Sequence, residues 1–456
     1  MRKTLIGAII ILLVAVAVGA YFIYSRPVEP EITKSSPSPA TSSKKIKLTY
    51  AVHWSNLEQR NGIYNPDGTL RSKGLRQYLN EYSVLHPEIE FDIKVIPYTE
   101  YADTLKVLSD ADLSPDIYQI YSPWGVSYVR NGILDNPPTE IKDDIIKNYV
   151  SLAGVTINGE IWGIPTEIND YALLYNKDLF KKAGLVDASG NILYPKTWAE
   201  LTDAAVKLAK KDAKGNITQY GIAFLGEDWQ VVDPFLSLLL SNGGKYLSAD
   251  LKKSLFNSSE GVAALEAELA LFKNGATDIN GNFFDFKDGK VGMVIAPPWT
   301  KSTFQIAFGD KFESSVGVAP FPPLKDQATL SYSWFMGVMN KSQHKAEAWE
   351  FLKWFTTDVQ PETNTTRYGD LLTNTIGAIP SRRIDFESHK EILGDFFTKV
   401  YVDQMKYAIA EPNVAESNNI KAALMEEIQS AWGGKKTAAA ALKSAADKVD
   451  EILLSN

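Results

Sequence analysis

The sequence predicts an α/β protein of two lobes, each a sheet covered by helices, with the chain crossing between them. Three observations carry this expectation. The first is size: 456 residues, 45% of them hydrophobic and 11% aromatic, suffice for two or three domains with buried cores. The second is the alternation of strand and helix patterns from Ile46 onward, as in a parallel sheet covered by helices. The third is the stretch from Asn158 to Lys182. There Ile161, Trp162 and Ile164 read as a buried strand closed by Pro165, and Tyr171 to Tyr175 as a second, continuous apolar one. The polar residues 166–170 between them are too few for a parallel crossover, which takes about a dozen. The chain is therefore expected to pass here from one lobe into the other.

Taken in order, IKLTYAVHW alternates into a strand whose end delivers His53, Trp54 and Asn56 to a loop. Leu75, Tyr78, Leu79 and Tyr82 recur at helical spacing, and Ile89, Phe91, Ile93 and Val95 share one face of a strand. A helix over 100–109 leads to SPDIYQIYSPW, where Tyr121, Ser122 and Trp124 fall beyond the carboxyl end of a strand, the side on which such sheets gather ligands. After the crossing, Asn176 precedes a short helix that Gly184 is placed to cap. Thr197 and Glu200 form a capping box ahead of a helix burying Leu201, Ala205, Leu208 and Ala209. The strand YGIAF is expected to end in a loop carrying Asp228, Trp229 and Asp233, with a helix starting at Phe235. The strand in FKDGKVGMVIAPPW ends at Trp299, VGVAPFPP is a second crossing, and YSWFMGVMN with the helix after it returns to the first lobe. GAIPSRR is the third crossing, after which helices close the second lobe. The expected division is 46–165 with 321–376 for lobe 1, and 166–320 with 377–456 for lobe 2.

Arg2 and Lys3 precede an uncharged run from Leu5 to Tyr24, about 30 Å as a helix, which is long enough to span a bilayer. Residues 1–24 are therefore expected to be a transmembrane anchor with the remainder exported, a cleaved signal segment being the rival reading. Residues 25–45, rich in Ser, Thr and Pro, read as a flexible linker. Seven of the 47 basic residues and two of the 55 acidic ones lie in residues 1–47, which leaves 40 against 53 for the exported body, a balance of −13. Such a body lacks the basic footprint that nucleic acid requires. There is no cysteine, so no disulfide, thiol nucleophile or Cys-ligated metal is available.

IWGIPTEINDYALLYNKDLFKKAGL, followed by PKTWAEL, resembles the central signature of the family 1 extracellular solute-binding proteins, the sugar-capturing partners of bacterial ABC importers. PEIEFDI, then YADTL, then SPDI is similar to the family's N-terminal lobe, and the strand around Met293 to its F-x-x-G-x-x-x-M pattern. The matches run in the family's order over nearly everything from Ile46 to Leu454. The absence of a lipid-anchoring cysteine departs from many Gram-positive members. The resemblance implies a two-lobed, periplasmic-binding-protein-like fold of type II with interlobe hinge crossings. It further implies a monomeric binding protein that is not an enzyme, delivers a carbohydrate ligand to an ABC permease and needs no cofactor.

Trp54, Trp124, Trp229, Trp299 and Trp334 are placed by this reading in loops or at strand ends, where indoles could stack on sugar rings. A core or interface role is the alternative for each. Trp162, Trp349 and Trp354 are assigned to the core. Glu167, at the crossing, could accept sugar hydroxyls or pair with a basic residue; Asn56, Tyr121, Asn169, Tyr171 and Asp233 complete the candidate ligand set. Asp228 and Asp233 read equally well as a solvated turn and a helix N-cap. No catalytic set is proposed: the four His are scattered, and no nucleophile elbow, H-E-x-x-H or phosphate loop is present. Asp278-Ile-Asn280-Gly-Asn282 lacks the spacing of a calcium loop and reads as a turn, so no metal is expected. Arg382 and Arg383 beside the third crossing leave open a glycerol phosphate, and a tethered glycan-binding adhesion or sensor module is the other alternative.

Overall fold

The computed structural model describes residues 45–54 and 56–455, which belong to one compact unit, 45–456. The expected anchor 1–24 and nearly all of the linker lie outside the described residues. Among the described residues no helix is long and apolar enough to cross a membrane.

Two sheets organise the unit. In the first, Ile46–Val52 lies between Ile89–Val95 and Ile117–Tyr121 and runs parallel to both. Thr329–Val338 pairs antiparallel with Ile117–Tyr121 on one side and with Ile164–Asp170 on the other, and Ile379–Pro380 forms the edge. In the second sheet the order is Lys210–Lys211, Ile217–Ile222, Val291–Ala296, Ala172–Asn176, Val316–Pro320, with Ala172–Asn176 antiparallel to both neighbours. Both sheets are mixed rather than parallel. The antiparallel strands adjoin the crossings, because a strand entered without a helical crossover is not turned to run with its neighbours.

The helices cover these sheets as the periodicity predicts. Leu75, Tyr78, Leu79 and Tyr82 are buried on Leu75–Leu85, and Phe351 of Lys345–Thr356 packs its ring 5.1 Å from Tyr82 and 4.7 Å from Phe91. Asn176 caps Lys177–Lys182 by accepting from the Leu179 N–H at 3.0 Å. Thr197 caps Trp198–Leu208 by accepting from the Glu200 N–H, while Glu200 reaches back to the Lys196 N–H at 2.7 Å.

Several expectations need correction. Residues 166–170 are not a loop between lobes; with Ile164 and Pro165 they form one strand of the first sheet, and Pro165 stands opposite Phe335. Their polar side chains are mostly buried, so polarity there does not signal a loop. Tyr171 alone separates this strand from Ala172–Asn176. Its N–H donates to Thr329 Oγ1 at 3.2 Å, and its carbonyl accepts from Gln404 Nε2 at 2.9 Å, so the break in the ladder leaves no orphaned backbone group. The second crossing is residues 321–328, since Val316–Pro320 belongs to the second sheet. In the stretch expected to be the third crossing, Gly377 holds a φ of +81°, beside Lys301, a conformation that favours glycine, but Ile379–Pro380 just after it still pairs with Ile168 and Glu167 of the first sheet. Asp228, Trp229 and Asp233 lie in the helix Asp228–Ser241 rather than in a loop; Pro234 sits inside that helix and disguises its beginning. The C-terminal part is not wholly helical either. Ala408–Ala410 pairs with Thr329–Ser331 of the first sheet before Ser417–Trp432 and Ala438–Leu454 pack beside Asp228–Ser241 and Ser259–Lys273.

Candidate ligand-binding site

Three strands of the first sheet end at one place. Ile46–Val52 delivers His53, Trp54 and Asn56, Ile89–Val95 is followed by Pro97 and Tyr98, and Ile117–Tyr121 ends on Tyr121 itself. Their side chains line one wall of a cavity of about 350 Å³, at the carboxyl ends of the strands. Tyr332, Trp334 and Glu167 join that wall from the two antiparallel strands. The facing wall comes from the ends of the second sheet's strands: Glu227, Trp229 and Asp233 after Ile217–Ile222, and Trp299 and Thr303 after Val291–Ala296.

Eight of the eleven candidate residues thus meet around one cavity: Trp54, Asn56, Tyr121, Glu167, Trp229, Asp233, Trp299 and Trp334. The other three stand behind its walls. Trp124 packs edge-on against Trp334, with ring centroids 5.7 Å apart, and lies near-parallel to Tyr98. Asn169 is buried in its strand opposite Tyr332. Tyr171 is fully buried and donates its hydroxyl to Asp233 at 2.6 Å. Trp334 lies within a strand, not at its end, and its partner on the same face at the i−2 position, Tyr332, is a cavity residue that the sequence reading did not select. Tyr98, Thr303 and Glu227 were also missed.

The aromatic rings are held by specific contacts. His53 stacks on Trp334 at 4.0 Å and 15°, and burial pushes its imidazole down to about 3, so it is neutral at physiological pH. Trp229 and Trp299 meet edge to face at 5.3 Å. Trp299 Nε1 donates to the Tyr332 hydroxyl at 3.1 Å, and Trp229 Nε1 to Glu227 Oε2 at 2.6 Å. With their N–H groups satisfied by the protein, these indoles offer faces rather than donors. Asn56 Nδ2 reaches Thr303 Oγ1 at 3.3 Å, a hydrogen bond directly between the two walls.

Beside the cavity is a buried ionic cluster of which the sequence reading selected only Asp233 and Tyr121. Lys421, from Ser417–Trp432, pairs with Asp233 at 2.7 Å and Glu411 at 3.2 Å, and its ammonium donates to the Tyr121 hydroxyl at 3.0 Å. Tyr121 in turn donates to Glu411. Burial works against the Lys421 charge, but Asp233 and Glu411 outweigh it and hold the ammonium form well above its ordinary range. Burial likewise raises Asp233, and raises Glu411 to about 7, with Lys421 pulling each back. Glu167 is also raised to about 7 by burial, but it has no cation beside it, and its Oε2 has no hydrogen-bond partner among the described residues. Arg382, a candidate for phosphate, is turned away from the cavity and paired with Asp144 at 3.0 Å. Asp278 accepts from the Asn280 N–H at 2.8 Å, the geometry of a turn, and no group of metal-ligating side chains occurs among the described residues.

The profile of the bacterial extracellular solute-binding protein family matches residues 65–360. A galactooligosaccharide-binding protein of Bacillus subtilis is 23% identical over 438 residues, 91% of each chain. A maltooligosaccharide ABC transporter solute-binding lipoprotein of Streptococcus pneumoniae is 25% identical over 407 residues, 84% of this chain and 87% of its own. Among solved structures, the GacH receptor of Streptomyces glaucescens, determined unliganded and in complex with acarbose, superposes with a TM-score of 0.73 at 21% identity, covering 90% of this chain and 98% of its own. These likenesses establish the two-lobed, maltose-binding-protein-like fold. The family match extends over well more than half of the sequence, and the chain belongs to the bacterial extracellular solute-binding proteins.

Proposed function

We propose that this protein captures a sugar, and specifically an oligosaccharide, in the cavity between its two walls and delivers it to an ABC permease on the extracytoplasmic side, without chemical turnover. The observation that supports this most is the cavity itself, in which indole faces from both lobes stand beside a buried carboxylate with an unused oxygen. Flat aromatic faces suit the apolar face of a pyranose, and carboxylates accept its hydroxyls. The names of the two relatives point to the same class of solute. The two walls would part about the three crossings, with the Asn56 to Thr303 hydrogen bond broken on opening. We assign the first lobe to residues 46–170 and 321–382 with the strand Ala408–Ala410, and the second to 172–320 and the rest of 383–456. Residues 1–24 would tether the protein to the membrane through the linker 25–45, and the working state would be a monomer. A glycerol phosphate is disfavoured, because no Lys or Arg lines the cavity.

A thermal-shift screen of the purified protein against mono- and oligosaccharides, glycerol phosphates, amino acids and polyamines tests the reading, since a ligand that binds only the folded state raises the midpoint. An upward shift with an intact oligosaccharide, recovered unhydrolysed, is expected. No shift with any sugar would overturn it.

A further inference from the structure

The charged side chains lining the cavity are Glu167, Glu227 and Asp233, all acidic. The cations on neighbouring elements are already engaged. Lys421 is shared by Asp233 and Glu411 with Asp228 3.9 Å away, three carboxylates around one ammonium. Lys301 turns to Asp395 and donates to Thr398 Oγ1 at 2.9 Å, and Arg382 faces Asp144. His53 contributes no charge. Asp233 is matched by Lys421, but Glu227 and, once ionised, Glu167 have no cation beside them, and a cleft lined by acids alone favours ligands of the opposite sign. The indole faces act in the same direction, because the ring quadrupole is negative above and below the plane and attracts cations.

Two buried atoms of this wall, Glu167 Oε2 and His53 Nδ1, have no hydrogen-bond partner among the described residues. Glu167 is 7% exposed and its Oε2 accepts no hydrogen bond, although a buried carboxylate oxygen normally does. Glu167 itself lines the cavity, so a neutral hydroxyl there could donate to its carboxylate. A protonated amine would donate a charge-assisted hydrogen bond, roughly twice as strong as a neutral one, and would also offset the surplus of negative charge.

We propose that the cavity selects saccharides by charge and that its preferred ligand carries a basic nitrogen seated against Glu167. Amine-bearing sugars then bind more tightly than their neutral counterparts, and sugars bearing a carboxylate or phosphate bind worst. The inference rests on the cavity being a saccharide site, as proposed above.

The test is isothermal titration calorimetry of the full chain with maltotriose and a galactotriose. Each is compared with its derivatives aminated in turn at the hydroxyls of a terminal ring, and with its terminal uronate. At least one aminated derivative is expected to bind about tenfold tighter than its neutral parent, and each uronate about tenfold weaker. In Glu167→Gln the ratio between that aminated derivative and its parent should fall towards one. If every aminated derivative binds no better than its parent, or a uronate binds as well, the charge selection is wrong while the saccharide reading stands. A ratio that survives in Glu167→Gln removes Glu167 as the seat of the nitrogen. Failure of both neutral parents and all derivatives to bind overturns the saccharide reading and this inference with it.

Discussion

Glu167 and Glu411 border the same small cavity of about 70 Å³, both buried and both raised to about 7, yet their surroundings differ in kind. Glu411 is met by an ammonium and a phenol from its own chain, Lys421 and Tyr121, and is complete without a ligand. Glu167 is met by no cation and keeps one oxygen unused. The first arrangement ties the first sheet to helices packed with the second lobe; the second leaves a buried acceptor beside an aromatic cavity. Asp170 and Glu268 also carry unpartnered buried oxygens, so it is the position of Glu167 on the lining of the aromatic cavity, and not the unused oxygen alone, that makes it a candidate contact.

The contrast can be broken most forcefully at Lys421. Lys421→Met leaves Asp233 and Glu411 buried without their cation, which should cost about 3–5 kcal/mol of folding stability in urea denaturation. A cost under 1 kcal/mol would place the cluster among weak surface pairs. Trp299→Ala should instead leave the fold standing and weaken oligosaccharide binding by about 2–3 kcal/mol in calorimetry, as for a buried aromatic anchor at an interface. Unchanged affinity would remove that indole from the site.

Glu167→Gln separates the two carboxylates directly. Because the folded state holds the Glu167 proton up to about pH 7 against an ordinary value of 4.5, its contribution to stability is full below 4.5 and lost as pH rises through 7. Gln does not titrate. The variant should therefore gain on the wild type as pH rises, by up to about 3 kcal/mol, while losing oligosaccharide affinity. Parallel stability profiles for variant and wild type would mean that Glu167 is compensated by something else. The smallest effect is expected from Thr303→Val, which removes the hydrogen bond between the walls; about 0.5–1.5 kcal/mol of closure should appear as at most a tenfold loss of affinity.

Much of the frame is legible from local patterns. The strand Ile46–Val52, the helix stripes and the caps at Asn176 and Thr197 each depend on residues within one or two turns of one another, and they stand as read except for Ala209, which caps the end of Trp198–Leu208 half-buried. Misreadings arise where tertiary burial overrides local polarity. Residues 166–170 look like a loop because their side chains are polar, and Asp228–Ser241 seems to begin late because Pro234 sits inside it. The aromatic half of the site was visible as tryptophans at expected strand ends, and Tyr332 could have been found from its i−2 spacing to Trp334. The ionic cluster had no local signal, since Asp233 and Lys421 meet only through the packing of Ser417–Trp432 on Asp228–Ser241.

A crystal structure with the oligosaccharide that gives the largest thermal shift would test the central claim most directly. The account predicts a sugar ring against the Trp229 and Trp299 faces and a ligand donor within hydrogen-bond distance of the Glu167 carboxylate, with the Lys421 cluster unchanged. A saccharide bound elsewhere, or one in the cavity that makes no hydrogen bond to the Glu167 carboxylate, would contradict it.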